Sequence, residues 1–378
     1  MKTFDAIILG LGGMGSAAAF HLSARGRCVL GLDQYQPVHD RGSSHGGSRI
    51  IRQAYYENPA YVPLLERAYE LWERLERDSG YDLLRLTGGL MIGPPASAVV
   101  NGAIASATEH NLPYEALNAN ELCRRYPVFA PRPDDTAVYE LRAGFLRPEL
   151  CVRAHLEQAA RCGAQLHFEE RVESWHAAPD AVRVKTSRAT YEAERLVIAP
   201  GAWAPALLEE IGVPFQIRRH VMCWFEPRAE RQAFLPDRFP IYMWDVNGRD
   251  CFYGFPVTGE AREGVKIAMH SGGEICTADS VDRTVYERDV EELRSHMKQF
   301  LPALNGPLVS AAVCMYTLTP DEHFTLSLHP GHPEVAIAAG FSGHGFKFTS
   351  VVGEILADLI TSGATRHPIA LFAPDRFI

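Results

Sequence analysis

Ala6-Ile7-Ile8-Leu9-Gly10-Leu11-Gly12-Gly13-Met14-Gly15 opens as an apolar run of strand type and passes at once into closely spaced glycines. A small-residue helix over 16–25 follows, closed by Gly26. A second apolar run, Val29-Leu30-Gly31-Leu32, then ends on Asp33. Strand, glycine loop, helix, strand and acid make up the dinucleotide fingerprint in the context it requires. Gly10 permits the tight turn. Gly12, followed by Gly13, lets backbone amides approach a pyrophosphate, and Gly15 lets helix and strand pack closely. The helix N-terminus supplies donors and partial positive charge to the phosphates, and Asp33 can accept hydrogen bonds from a ribose. The plain alternative is a glycine turn with no ligand; both flanking strands and the terminal acid weigh against it.

The chain has 378 residues, enough for about two or three domain-sized units. A net charge of -9 and the lack of any dense Lys/Arg tract argue against a nucleic-acid surface. The eight cysteines are scattered, with no Cys-x-x-Cys pair and no zinc spacing. They read as free thiols in a reducing compartment, and no metal site is expected. No apolar run is long enough to cross a bilayer. Asp5 and the glycines interrupt anything resembling a leader, and Asp375-Arg376-Phe377-Ile378 is no peroxisomal signal. The expectation is a soluble cytoplasmic protein without nucleic-acid or membrane partners.

Beyond Asp33, Gly42-Ser43-Ser44-His45-Gly46-Gly47-Ser48-Arg49-Ile50-Ile51-Arg52 is a loop rich in cations. It reads equally as a solvated surface loop or as part of a site. Pro63 opens a helix whose Leu64, Leu65, Ala68, Leu71, Trp72 and Leu75 recur at helical spacing. A strand is expected over 87–93. The alanine-rich stretch 94–142 reads as an excursion into a second domain. Pro148 starts a helix to about 162, followed by a strand over 165–168. Residues 195–203 are again strand then glycine turn, around Gly201 and Trp203. From 213 to about 316 the pattern is strand-rich, with a turn at Asn247-Gly248 and one helix over 285–300. Near the C-terminus a buried strand over 335–340 runs into Gly343-His344-Gly345-Phe346-Lys347 and then a helix, a second anion site at a helix N-terminus.

In order along the chain stand the N-terminal fingerprint, His45-Gly46-Gly47-Ser48-Arg49-Ile50-Ile51-Arg52, Tyr253-Gly254-Phe255-Pro256, Cys314-Met315-Tyr316 with Thr319-Pro320-Asp321-Glu322-His323-Phe324, and Gly343-His344-Gly345-Phe346-Lys347-Phe348. Together they resemble the monomeric sarcosine oxidase family, which includes N-methyltryptophan oxidase and pipecolate oxidase. The likeness spans nearly the whole chain, and its Cys314 and Gly343 segments are the specific ones. It implies an α/β plus α+β architecture. A Rossmann-like (GR2-type), discontinuous FAD-binding domain would take 1–93, 143–212 and 325–378. An antiparallel-sheet substrate domain would take 94–142 and 213–324. It also implies a monomer that oxidises the secondary amine of a small amino acid with O2, giving an imine, then aldehyde and amino acid, with hydrogen peroxide released.

The resemblance further implies covalent FAD, through a thioether from Cys314 to the flavin 8α carbon. A thiolate is the chain's best carbon nucleophile near neutral pH, although taken alone Cys314 reads as a buried structural thiol. Gly10, Gly12, Gly13, Gly15, Asp33, Ser43, Arg49, Ile50, Gly201, Trp203, Met315, Gly343, His344, Gly345, Phe346 and Lys347 would also hold the cofactor. Arg52 can fork onto a substrate carboxylate and Lys347 can add a point charge. A lysine at a helix N-terminus otherwise lacks the anion that its position calls for. Lys266 sits in Val265-Lys266-Ile267-Ala268-Met269-His270. By spacing alone it is a snorkelling surface lysine; by resemblance it activates oxygen through a fixed positive charge. Arg49 and His45 would tune the flavin ring, and His270 would reach the substrate, although a lone histidine is more often structural. Tyr253, Tyr316 and Met243 would wall the pocket; the two tyrosines read equally as core residues.

Three departures concern substrate size rather than chemistry. Gly47-Ser48 stands where relatives carry Asp-Thr, the segment 243–252 is one residue longer, and Pro200 replaces a threonine. Sarcosine-like N-methyl amino acids are the leading substrates, with N-methyltryptophan, pipecolate, proline or glycine as alternatives. An NAD-dependent dehydrogenase would leave the C-terminal glycine turn without a job. A non-catalytic flavin module would leave Lys266, Arg52 and Lys347 without one.

Overall fold

The N-terminal apolar run forms the central strand, Thr3–Leu9, of an eight-stranded sheet. The computed structural model describes residues 3–178, 181–259 and 264–377; Met1, Lys2 and Ile378, the outermost residues of the expected flavin segments, lie outside them. Val29–Leu32 and Gln165–His167 lie parallel on one side of the central strand, and Thr190–Ile198 and His332–Ala339 lie parallel on the other. Strand order therefore reverses at Thr3–Leu9. That is where an open parallel sheet leaves a crevice beyond its carboxyl ends.

The small residues of the first helix, Gly13–Ala24, have a packing purpose. Ala17, Ala18 and Ala19 are wholly buried, and the helix is covered by Pro148–Arg161 on one flank and Thr349–Ser362 on the other. A Cβ added at Gly353 would stand 2.5 Å from Ala17 Cβ, so the helices cross at near contact. The helix opened by Pro63 runs Val62–Ser79, buries the six residues named above and stops at Gly80, in the left-handed region. No helix among the described residues is long and apolar enough to cross a membrane.

Between the first helix and its Pro148–Arg161 neighbour lies His155, buried against Trp72 and Phe20 with Nδ1 unpartnered. Burial, with His21 adding, pushes its imidazole well below the ordinary 6.5. The unfolded chain takes up a proton near that pH and the folded chain does not. This stability is thus present above the unfolded pKa and lost as pH falls below it. His155→Phe is expected to flatten the fall of unfolding free energy, followed through Tm, between about pH 6.5 and about pH 5, by roughly 1 kcal/mol per pH unit. Parallel Tm curves for the two proteins would clear His155 of the effect.

The second sheet has nine strands. Its spine is the long antiparallel pair Gln216–Phe225 and Leu308–Leu318, followed by Val265–Met269, Cys251–Gly254 and Ile241–Asp245. Gly248 closes the last hairpin with a positive φ. Gly89–Gly93, placed at the end of the first flavin segment, is hydrogen-bonded into this second sheet, parallel to Ile241–Asp245 and antiparallel to Thr136–Glu140. All five of its residues are buried, so it needed a sheet covered on both faces. The sheet is accordingly antiparallel except at that pair. A small third sheet, Arg49–Ile51, Gly144–Leu146 and Leu84–Leu86, ties the cationic loop between the two larger ones.

Candidate active site

Gly10 turns with φ +86, and a Cβ there would strike Ala199 O at 2.4 Å. At Gly15 an added Cβ would stand 1.7 Å from Gly10 O, so glycine alone lets the helix sit on the turn. Asp33 caps the crevice; its carboxylate accepts from Leu11 N at 2.8 Å and Tyr35 N at 3.0 Å. Both helices whose N-termini approach here, Gly13–Ala24 and Thr349–Ser362, lack a side-chain cap from their cap residues. The buried hydroxyl of Thr349 has no partner, and it lies 3.1 Å from where a Cβ on Gly13 would be. At the first of these helices Ser44 Oγ accepts from Gly13 N at 3.2 Å; the other end amides and the orphaned hydroxyl fit a pyrophosphate.

The cationic loop is only partly solvated, Gly47 being its exposed point. His45, Ser48 and Arg52 are buried, and burial with Arg49 beside it pushes the His45 imidazole down to about 3. Arg49 donates to Ser43 O and Ser48 O, both at 2.8 Å, and to Cys314 Sγ at 3.6 Å. Ser43 Oγ reaches Met315 O at 2.7 Å. Lys266 is 1 % exposed, so the snorkelling reading fails. Its Nζ donates to Gly46 O and Ser48 O at 2.8 Å and contacts Ser48 Oγ at 3.2 Å.

Arg52 and Lys347, 1 % and 4 % exposed, lie together at the far end. Arg52 pairs with Glu57 at 2.5 Å and stacks on Tyr55 and Tyr56. Its Nε and Glu57 Oε1 are buried without hydrogen-bond partners, His344 Nδ1 standing 4.0 Å from the latter. Burial raises the Glu57 carboxyl, and Arg52 more than reverses this, holding it at about 2. Lys347 Nζ donates to His344 O at 2.7 Å and Tyr55 OH at 3.3 Å. Burial, then Arg52, lower it to about 7. A carboxylate arriving here would meet one unpaired guanidinium donor and an ammonium whose charge it would restore.

One cavity of about 630 Å³ joins these parts. Gly10, Gly12, Gly13, Asp33 and Ser43 line its nucleotide end, with Gly201 and Trp203 from the second turn. Arg49, Ile50, Cys314 and Met315 line its middle, as do Gly343, His344, Gly345 and Phe346. Arg52, Lys347, Met243, Tyr253, Tyr316 and His270 line the other end. Gly15, His45 and Lys266 stand behind its walls. Burial holds His270 neutral, at about 4. Met243 and Tyr253 face each other across the 241–254 hairpin.

Residues 5–359 match the FAD dependent oxidoreductase family. The chain is 53 % identical over 375 residues to monomeric sarcosine oxidase of Streptomyces avermitilis, covering 99 % of this chain and 98 % of that one. It belongs to the monomeric sarcosine oxidase family. A further relative is N-methyl-L-tryptophan oxidase of Salmonella dublin, 34 % identical, with 99 % of each chain covered. The structure of NikD, an unusual amino acid oxidase essential for nikkomycin biosynthesis, superposes with a TM-score of 0.85 at 23 % identity, over 99 % of this chain and 98 % of that one. The protein is therefore an amine-oxidising flavoenzyme with FAD as cofactor, and the open helix ends described above suit that cofactor.

Three site residues of this family member escaped the reading of its sequence. Glu57 follows Arg52 by five positions in an otherwise uncharged run, a signal that was there to use. His220 stacks on the Tyr316 ring at 3.9 Å, the ring that a Cβ on Gly343 would strike. Glu149 accepts from the amides of Gly46 and Gly47. Nothing local in sequence marks the last two.

Proposed function

We propose that the enzyme oxidises the secondary amine of a small N-methyl amino acid, sarcosine being the simplest, with dioxygen. The imine is then hydrolysed to an aldehyde and the amino acid, and hydrogen peroxide is released. The observation that carries this reading is the convergence of two buried cations, Arg52 and Lys347, on the cavity that also holds both glycine turns and Cys314. Bound FAD supplies a two-electron acceptor that dioxygen can discharge.

Arg52 and Lys347 grip the carboxylate and so fix the orientation of the reacting carbon. His270, held neutral by burial, lines the substrate end and can accept a hydrogen bond from the substrate ammonium. Met243, Tyr253 and Tyr316 bound the side-chain end and keep water out. Cys314, at the cavity wall, would hold the cofactor through a thioether. Lys266 supplies fixed positive charge for the oxygen step, with Arg49 and His45 tuning the same region. In this reading a flavin unit takes 1–88, 143–212 and 325–378 and a substrate unit takes the rest, in a cytoplasmic monomer.

Peroxide release measured with sarcosine, N-methyltryptophan, pipecolate, proline and glycine tests the substrate. Sarcosine is expected to be fastest; a clear preference for a cyclic or primary amine would replace that part of the reading. Arg52→Gln is expected to lower kcat/KM for the amino acid by about 10²-fold or more while leaving flavin reoxidation near the parent rate. An unchanged kcat/KM would remove Arg52 from substrate binding.

A further inference from the structure

Lys266 is a buried cation that, among the described residues, touches no carboxylate. Its Nζ faces Gly46 O, Ser48 O and Ser48 Oγ, with the rings of Phe255 and Trp224 at 4.7 and 5.5 Å. The charged and titratable groups around it are Arg49, Cys314, His45 and Glu149. Glu149 enters from the first turn of the Pro148–Arg161 helix and stands on the other side of the loop. Its Oε1 accepts from Gly46 N at 2.5 Å and Gly47 N at 3.1 Å, and its Oε2 lies 3.3 Å from Gly47 N.

The carbonyl of Gly46 and the amide of Gly47 belong to one peptide group. That group gives its N–H to the Glu149 carboxylate and its C=O to the Lys266 ammonium, so its dipole is aligned between an anion and a cation. The Lys266 end of this chain is buried and the Gly47 end reaches the surface, and hydrogen bonds linked in this way polarise one another. The turn requires left-handed backbone at both glycines, φ +95 at Gly46 and +75 at Gly47, a conformation that side chains resist.

We propose that Glu149 is a positioning residue for the oxygen step, acting on Lys266 through the Gly46–Gly47 peptide. The proposal rests on the oxygen role given to Lys266 above. Glu149 turns that carbonyl onto the ammonium, and its charge favours the protonated lysine. Burial and Arg49 push Lys266 the other way, well below its ordinary range, while Glu149 opposes them.

The test uses the holoenzyme, reduced anaerobically with substrate and mixed with oxygenated buffer over a range of pH, as parent, Glu149→Gln, Glu149→Asp and Lys266→Met. In Glu149→Gln the alkaline fall in reoxidation rate moves to lower pH by about one unit, making it about tenfold slower at pH values above the fall. Anaerobic reduction stays at the parent rate, and Glu149→Asp, which keeps the charge, restores much of the profile. Hydrogen exchange at the amides of Gly46 and Gly47 rises in Glu149→Gln. Uniform slowing at every pH, equal slowing of reduction, or an unmoved profile each overturns the proposal. If Lys266→Met reoxidises at the parent rate, the oxygen role of Lys266 fails instead, and exchange at Gly46 and Gly47 still decides whether Glu149 holds the loop.

Discussion

Lys266→Met reoxidises at least about 10²-fold more slowly than the parent, while its anaerobic reduction by substrate is little changed. Methionine matches the length of the lysine stem and removes the charge, so packing against Phe255 and Trp224 survives. Gly46 O and Ser48 O each lose one donor and keep another, Ser48 N and the Arg49 guanidinium respectively, a penalty of about 0.5–1.5 kcal/mol for each hydrogen bond lost. That penalty falls on folding rather than on one half-reaction, so the split between the two rates isolates the charge. Stopped-flow traces for reduction and reoxidation measure both. Equal reoxidation in mutant and parent would leave the buried ammonium a purely structural clamp.

Cys314→Ala is expected to release its flavin. Acid precipitation of the parent leaves a yellow pellet; the same treatment of the variant leaves a pale pellet beneath a yellow supernatant. Cys314 is buried at the cavity wall, opposite His220 in the long antiparallel pair. Loss of one sulfur there opens little space and costs about 1 kcal/mol of stability, so the variant folds and the colour test can be read. Colour retained in the variant's pellet would place the tether on another residue.

Regular local pattern made much of this molecule legible. The run Val29–Leu32 and the helices that begin near Pro63 and Pro148 carry apolar periodicity bounded by proline and glycine, and periodicity is a property of neighbours in sequence. Gly89–Gly93 was legible as a strand but not by sheet, because an apolar run says that it is buried without saying against what. Lys266 shows the same limit in a charged residue: flanking apolar side chains suit a surface strand or a buried one. His220 and Glu149 act only through partners brought by the fold, Glu149 across 103 positions of chain. The pairing of Arg52 with Glu57 was within reach, separated by a few residues that form no regular element.

The chain enters the second sheet at Gly89–Gly93, leaves it after Thr136–Glu140, returns at Gln216–Phe225 and leaves again after Leu308–Leu318. Neither half can therefore be excised or exchanged as a single cassette. A recombinant that swaps one contiguous block with a relative would mismatch the seam on at least one pass. Diversification within this lineage should accordingly proceed by point changes at hairpin tips such as 245–251, where inserted residues alter the mouth without rethreading the weave.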